Sequence, residues 1–185
     1  DAWIKNPAGE KVVDWRDSNL QVVSYSESVQ AKMTFDELAP RLHYLSENPS
    51  AIPYRTSYYN RSWGICATET QFRGMQEAGG TFEVCIDSDF DPNGSMSIGE
   101  IKVAGRRKDE FLISTYICHP SMANNELSGP LCMLLIYNML RKIKNKQFTY
   151  KFIISSETIG PISYLDYLKN KKQIKNIYGA AILTC

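Results

Sequence analysis

The chain has 185 residues, 43% of them hydrophobic, enough for one domain or two small ones with a real core. Lysine and arginine (21) nearly balance aspartate and glutamate (20), and the net charge of +1 excludes the electrostatic bias of a nucleic-acid, anionic-lipid or polyacid binder. The longest nearly apolar run, "LCMLLIYNML", is shorter than the roughly 20 residues a bilayer needs, so no membrane partner is expected.

The cysteines Cys66, Cys85, Cys118, Cys132 and Cys185 are odd in number, sit in apolar contexts and show no CxxC spacing. Reduced, buried thiols in a cytoplasmic protein are the expectation. Lysines gather at 141–151 and 169–175, beside helix-like segments, and read as solvated faces.

In chain order, "DAWIKNPAGEKVVDW" reads as strand, turn, strand, with Asn6-Pro7-Ala8-Gly9 supplying the turn. "LQVVSYS" reads as a short strand. Thr34 reads as an N-cap with Glu37 at the capping-box position, opening a helix over residues 35–42. "WGICAT" and "TFEVCIDSDF" read as extended runs. The second is expected to pair with "SMSIGEIKVAG" as a hairpin across Asp91-Pro92-Asn93-Gly94. A calcium loop at "DSDFDPNG" fails on register, because the required Gly and Glu positions fall on Pro92 and Ile98.

Near residue 100 the pattern changes. "EFLISTYIC" (110–118) is a continuous apolar strand, and "PLCMLLIYNMLRKI" (130–143) reads as a helix opening on Pro130. A strand at 150–155, a helix at 161–170 and a strand at 178–185 follow. This alternation is the signature of a largely parallel α/β sheet. The domains expected are a β-rich one over 1–98 and part of an α/β one over 99–185. The last strand has no helix after it, so a fragment is expected, with a sheet edge available to a homodimer partner.

Ligands of such sheets bind outside the carboxyl ends of the strands. His119 ends the strand 110–118 and Glu157 follows the strand 150–155. If those strands are neighbours, His119, Asn125, Glu126 and Glu157 converge on one cleft, a donor set suited to zinc. Cys118 and His119 point to opposite faces if the strand continues through them, which rules out a thiolate–imidazole pair. Ser128 lies in "ELSGP", without the G-x-S-x-G elbow, and reads with Gly129 as the entry to the helix. "YRTSYYNRSW" (54–63) mixes aromatics with two arginines; without an RNA-binding signature it reads as packed β surface, or as carbohydrate-binding surface.

Together "STYICHPSMANNELSGP" and "FIISSETIGPISYL" resemble the bacterial aminopeptidase-like proteins related to co-catalytic zinc aminopeptidases. Residues 1 to about 98, with "IPYRTSYYNRSWGIC", resemble the β-rich domain inserted into that group's peptidase domain. The group is associated with surface-polysaccharide biosynthesis genes. The resemblance implies a partial zinc-aminopeptidase-like sheet, up to two zinc ions and cleavage of a peptide or aminoacyl amide.

By that resemblance His119 takes the first ligand position, and the bridging aspartate falls on Asn125, with Glu126 beside it as a substitute. Of the group's Glu-Glu pair, one carboxylate remains, Glu157, as base or as ligand. The later aspartate falls near Thr184 or Cys185, where no carboxylate stands. Two readings stay open: a metal-dependent hydrolase whose activity needs more chain than these 185 residues, or a non-catalytic scaffold or recognition relative.

Overall fold

Asn6 builds the first turn as its chemistry dictates. Its Oδ1 accepts the Ala8 and Glu10 N–H groups at 3.0 and 2.9 Å, and Gly9 takes φ +84°. The turn joins β1 (Ala2–Lys5) to β2 (Lys11–Asp14). This computed structural model describes residues 1–58 and 60–185, and the chain divides into two units, Asp1–Gly94 and Ser95–Cys185.

In the first unit β3 (Val29–Thr34) leads into α1 (Phe35–Leu38) through the expected capping box. Glu37 N–H donates to Thr34 Oγ1 at 3.4 Å, and Thr34 N–H donates to Glu37 Oε2 at 2.8 Å. The expected helix over 35–42 stops at Leu38 and tightens into a 3-10 turn, Ala39–Arg41. Pro40 explains this, since it has no N–H to continue the α-helical ladder. The expected strand at "LQVVSYS" is instead a 3-10 turn, Asn19–Gln21, followed by isolated bridges from Val22 and Ser24. Local hydrogen bonds win there: Ser26 Oγ donates to the Val23 carbonyl at 2.6 Å, and Tyr25 takes φ +66°.

Two short strands, β4 (Leu42–His43) and β5 (Ile65–Cys66), pair in parallel. Then comes α2 (Glu69–Ala78), which the sequence reading lacks. It has its own capping box: Gln71 N–H donates to Thr68 Oγ1 at 3.1 Å and Thr68 N–H to Gln71 Oε1 at 2.9 Å. Thr68→Ala is expected to cost about 1 kcal/mol in a urea-unfolding measurement on the first unit. An unchanged midpoint would show that tertiary packing alone holds α2. Strand β6 (Thr81–Ile86) completes an antiparallel sheet of order β2-β1-β6-β3, over a core that includes Ile4, Leu38, Ile65 and Phe82.

The expected hairpin across Asp91–Gly94 does not form. The turn is there, with Asn93 N–H on Asp91 Oδ1 at 2.8 Å, but β7 (Gly99–Val103) pairs in the second unit instead. Turn chemistry is local, whereas strand pairing is decided by which apolar face finds a core. Tyr59, within the aromatic run 54–63, lies outside the described residues.

The second unit contains β8 (Glu110–Tyr116), α3 (Ala123–Leu140), β9 (Thr149–Ser155), α4 (Ile159–Asn170) and β10 (Ile177–Ile182). Its sheet order is β10-β8-β9-β7, with β8, β9 and β10 parallel and β7 antiparallel. Alternation along β8 and β9 divides the core: Ile113 and Phe152 pack with Met133 and Tyr137 of α3, while Leu112 and Ile153 pack with Tyr164 and Leu168 of α4. One helix therefore covers each face, and the chain as a whole is mixed α/β.

The helix expected to open on Pro130 begins instead at Ala123 and carries Pro130 inside it. The proline forfeits one ladder bond to the Glu126 carbonyl. Gly129 and Met133 hold the helix against the sheet in return. A β-carbon on Gly129 would meet Thr115 Oγ1 and stand 2.8 Å from the Leu183 carbonyl oxygen. Close packing at Gly129 is as expected; Ser128 and Gly129 as the helix entry are not.

Candidate metal and catalytic site

Strands β8 and β9 are neighbours, with Tyr116 opposite Ser155. Their carboxyl ends, beside the strand where chain order reverses toward β10, form the crevice where α/β sheets bind ligands. Past Tyr116 the ladder ends, and the Ile117 N–H reaches the Ser155 carbonyl at 3.0 Å. Residues 117–122 then loop outward, with Ser121 at φ +64°, before α3 starts. After β9, Thr158 takes φ +57°, a costly conformation for a β-branched residue, of the kind that persists where surroundings over-determine it.

The loop delivers His119 between two carboxylates. Its Nδ1 lies 2.7 Å from Glu126 Oε1, and its Nε2 lies 3.4 Å from Glu157 Oε2. Glu126 is 7% exposed; its second oxygen accepts the Cys118 N–H. Both Glu126 oxygens are thus held by the loop preceding its own helix, which locks loop to helix. Glu157 is open to solvent, and its N–H donates to Cys118 Sγ at 3.2 Å. Residues 117–123, Glu126 and Leu127 line an open cleft of about 490 Å³.

Three of the four sequence-predicted residues, His119, Glu126 and Glu157, therefore come together. The fourth, Asn125, sits beside Glu126 on α3, and its buried Oδ1 has no hydrogen-bond partner among the described residues. An orphaned buried acceptor is a position for an ion or an ordered water. The sequence reading missed Cys118. It placed Cys118 and His119 on a continuing strand and so on opposite faces. The strand ends at Tyr116, and Cys118 Sγ stands 3.3 Å from His119 Nδ1. Burial, the larger effect, and the neighbouring carboxylates push the Cys118 thiol above its ordinary pKa.

At the same rim, Thr184 Oγ1 lies 3.0 Å from the Tyr116 hydroxyl, and Asn124 Nδ2 donates to Cys185 Sγ at 2.8 Å. His43 belongs to the first unit, where burial lowers its pKa. Cys66 is buried there too, its thiol pushed up to about 12. Of the thiols expected to be buried, Cys118, Cys132 and Cys185 are exposed.

The donor set fits a borderline divalent cation. Cys118, His119 and Glu126 offer sulfur, nitrogen and oxygen within 4.8 Å of one another, and no other such group occurs among the described residues. Among the described residues no helix is long and apolar enough to cross a membrane.

The chain is mixed α/β, and its fold is shared with a solved structure over its whole length. Over its whole length the chain is similar to a curated protein and a solved structure. It is 42% identical over 185 residues to a Clostridium acetobutylicum protein, provisionally named as a polysaccharide biosynthesis protein with an aminopeptidase-like domain. A crystal structure from the same organism, of a protein provisionally called a peptidase, superposes with a TM-score of 0.88 at 40% identity. These matches cover 100% of this chain, which spans 41% of the first relative's length and 42% of the second's. Residues 1–89 match the model of a domain of unknown function, DUF2172.

Proposed function

We propose that the whole protein is a metal-dependent hydrolase of the aminopeptidase type, cleaving a peptide or aminoacyl amide bond. The observation that carries this is the convergence of His119, Glu126 and Glu157 where β8 and β9 end. The sheet of the second unit is read as part of a zinc-aminopeptidase-like sheet, and the β-rich first unit as a domain inserted into it. The cluster of Cys118, His119, Glu126 and Glu157 makes a site for one cation; a second would need Asn125 and groups beyond this rim.

When bound, zinc supplies Lewis-acid polarisation and a more acidic water. His119 and Glu126 would hold it. Glu157 keeps one carboxylate oxygen toward the imidazole and the other toward solvent, placed to take a proton from water and return it to the leaving amine. The loop 117–122 and the start of α3 wall the cleft on one side, and the amide substrate would lie against Ile117, Met122 and Leu127.

The test is elemental analysis of the full-length protein purified without chelator, alongside hydrolysis of aminoacyl amides. Near-stoichiometric zinc is expected. His119→Ala should weaken it by more than the roughly 10–100-fold that loss of an outer partner costs. Glu157→Gln should retain zinc and lose turnover. Metal-free wild-type protein, even after zinc is offered, would favour the second reading, a non-catalytic relative. One observation speaks for that reading: a neutral amide, Asn125, stands where the resemblance calls for a bridging carboxylate.

A further inference from the structure

We infer that Cys118 supplies a sulfur ligand to the cation held by His119 and Glu126, making this a mixed sulfur–nitrogen–oxygen centre selective for thiophilic divalent ions. The inference rests on the metal-dependent reading above and departs from the all-nitrogen-and-oxygen ligand set that the resemblance implies.

The geometry separates this from the other roles a cysteine beside a histidine can play. In a nucleophile–base–orienter arrangement, the thiol uses one imidazole nitrogen and the carboxylate uses the other. Here Cys118 Sγ, at 3.3 Å, and Glu126 Oε1, at 2.7 Å, converge on the same nitrogen, Nδ1. One nitrogen holds one proton and cannot serve both partners. Sulfur, nitrogen and oxygen within 4.8 Å of one another are instead a donor set that a cation can bind. In a tetrahedral zinc site, with bonds of about 2.0 Å to nitrogen or oxygen and about 2.3 Å to sulfur, donor atoms stand roughly 3.3–3.6 Å apart. The Cys118–His119 pair is already at that spacing, and Glu126 must withdraw by about half an ångström.

Two further contacts suit a metal-bound sulfur. The Glu157 N–H donates to Sγ at 3.2 Å, the outer hydrogen bond that ligands of metal sites usually receive. Glu157 Oε2 lies 3.4 Å from Nε2, which leaves Nδ1, the nitrogen beside Sγ and Glu126, for the cation. The open cleft beside the sulfur leaves a coordination position for water or substrate. On binding, the sulfur–metal bond replaces S–H and the thiol proton passes to solvent. A thiolate in the set favours zinc, cobalt or cadmium over magnesium, calcium or manganese.

Cobalt(II) titration of the full-length protein, followed by absorption spectroscopy, tests this. Expected is a near-ultraviolet sulfur-to-cobalt charge-transfer band together with visible ligand-field bands. Cys118→Ser should abolish the first and keep the second, His119→Ala should abolish both, and Cys132→Ser and Cys185→Ser should change neither. Cobalt bound through His119 without the charge-transfer band would overturn the sulfur ligand and leave the metal-dependent reading standing. A band that survives in Cys118→Ser would overturn it equally. No cobalt bound at all would overturn both.

Discussion

Lys151→Met is expected to destabilise the second unit by about 3–5 kcal/mol, the cost of stranding a buried charge. Lys151, in the middle of β9, is 3% exposed, and its ammonium stands 2.8 Å from Oε2 of Glu110, 4% exposed at the start of β8. Lys102 of β7 donates to the other Glu110 oxygen at 2.6 Å, and the Tyr164 hydroxyl of α4 donates to Glu100 at 2.5 Å. The Lys151 pair thus ties two neighbouring strands together beneath a helix. Lys102, half exposed, contributes the roughly 0–1 kcal/mol of a surface pair, so Lys102→Met should be mild.

Replacing both partners, in Lys151→Met with Glu110→Leu, should recover most of the loss, because no charge then remains buried. Urea-unfolding midpoints of the three variants decide the matter, and an unperturbed Lys151→Met would sink it. The same network sets an acid limit. Burial alone would raise the Glu110 pKa, but hydrogen bonds from Lys102 and Lys151 outweigh it and hold the carboxyl below its ordinary value. A lowered folded-state pKa adds stability above the unfolded value of about 4.3, and that stability is lost as pH falls through the folded value. Glu110→Gln should therefore flatten the pH dependence of the second unit's stability below about pH 4.

Gly129→Ala is expected to cost about 1–3 kcal/mol through overpacking. The added carbon would meet Thr115 Oγ1 and the Leu183 carbonyl, the two atoms whose 2.9 Å hydrogen bond joins the ends of β8 and the chain beyond β10. Leu183 presents backbone, which cannot swing aside, so the start of α3 must lift away. Glu126 lies one helical turn before Gly129 and would lift with it, loosening its hold on His119. Weaker zinc binding should accompany the stability loss. The matched control is Gly74→Ala in α2, where nothing lies within 4 Å of the new carbon and a gain of roughly 0.5–1 kcal/mol is expected. If both substitutions behave alike, the close approach at Gly129 carries no weight.

Signals confined to a few residues were legible in the sequence. Thr34 and Glu37 announced α1, and the buried runs at β8 and β9 announced parallel strands with His119 and Glu157 at their carboxyl ends. The signal for α2 was equally local, a second Thr-x-x-Gln box at Thr68–Gln71, and went unread between two extended runs. Pro130 misled because proline usually marks a helix start, and here packing through Gly129 carries the helix past it in both directions. What composition could not reveal was non-local. The partner of β7 lies about fifty residues ahead, and the meeting of Cys118 with His119 depends on a strand ending at Tyr116, two residues before its apolar pattern stops.

The two borders of the second unit's sheet differ in chemistry. On one, β7 runs against the direction of its neighbour and offers Glu100 and Lys102 on either side of Ile101; on the other, β10 runs with its neighbour and offers Tyr178, Ala180 and Ile182. A guest strand approaching β7 would have to desolvate ionised groups, whereas one approaching β10 would bury hydrocarbon. The sheet is therefore an asymmetric template. Of the two borders formed by these residues, that of β10 presents the less hydrated surface to a further strand.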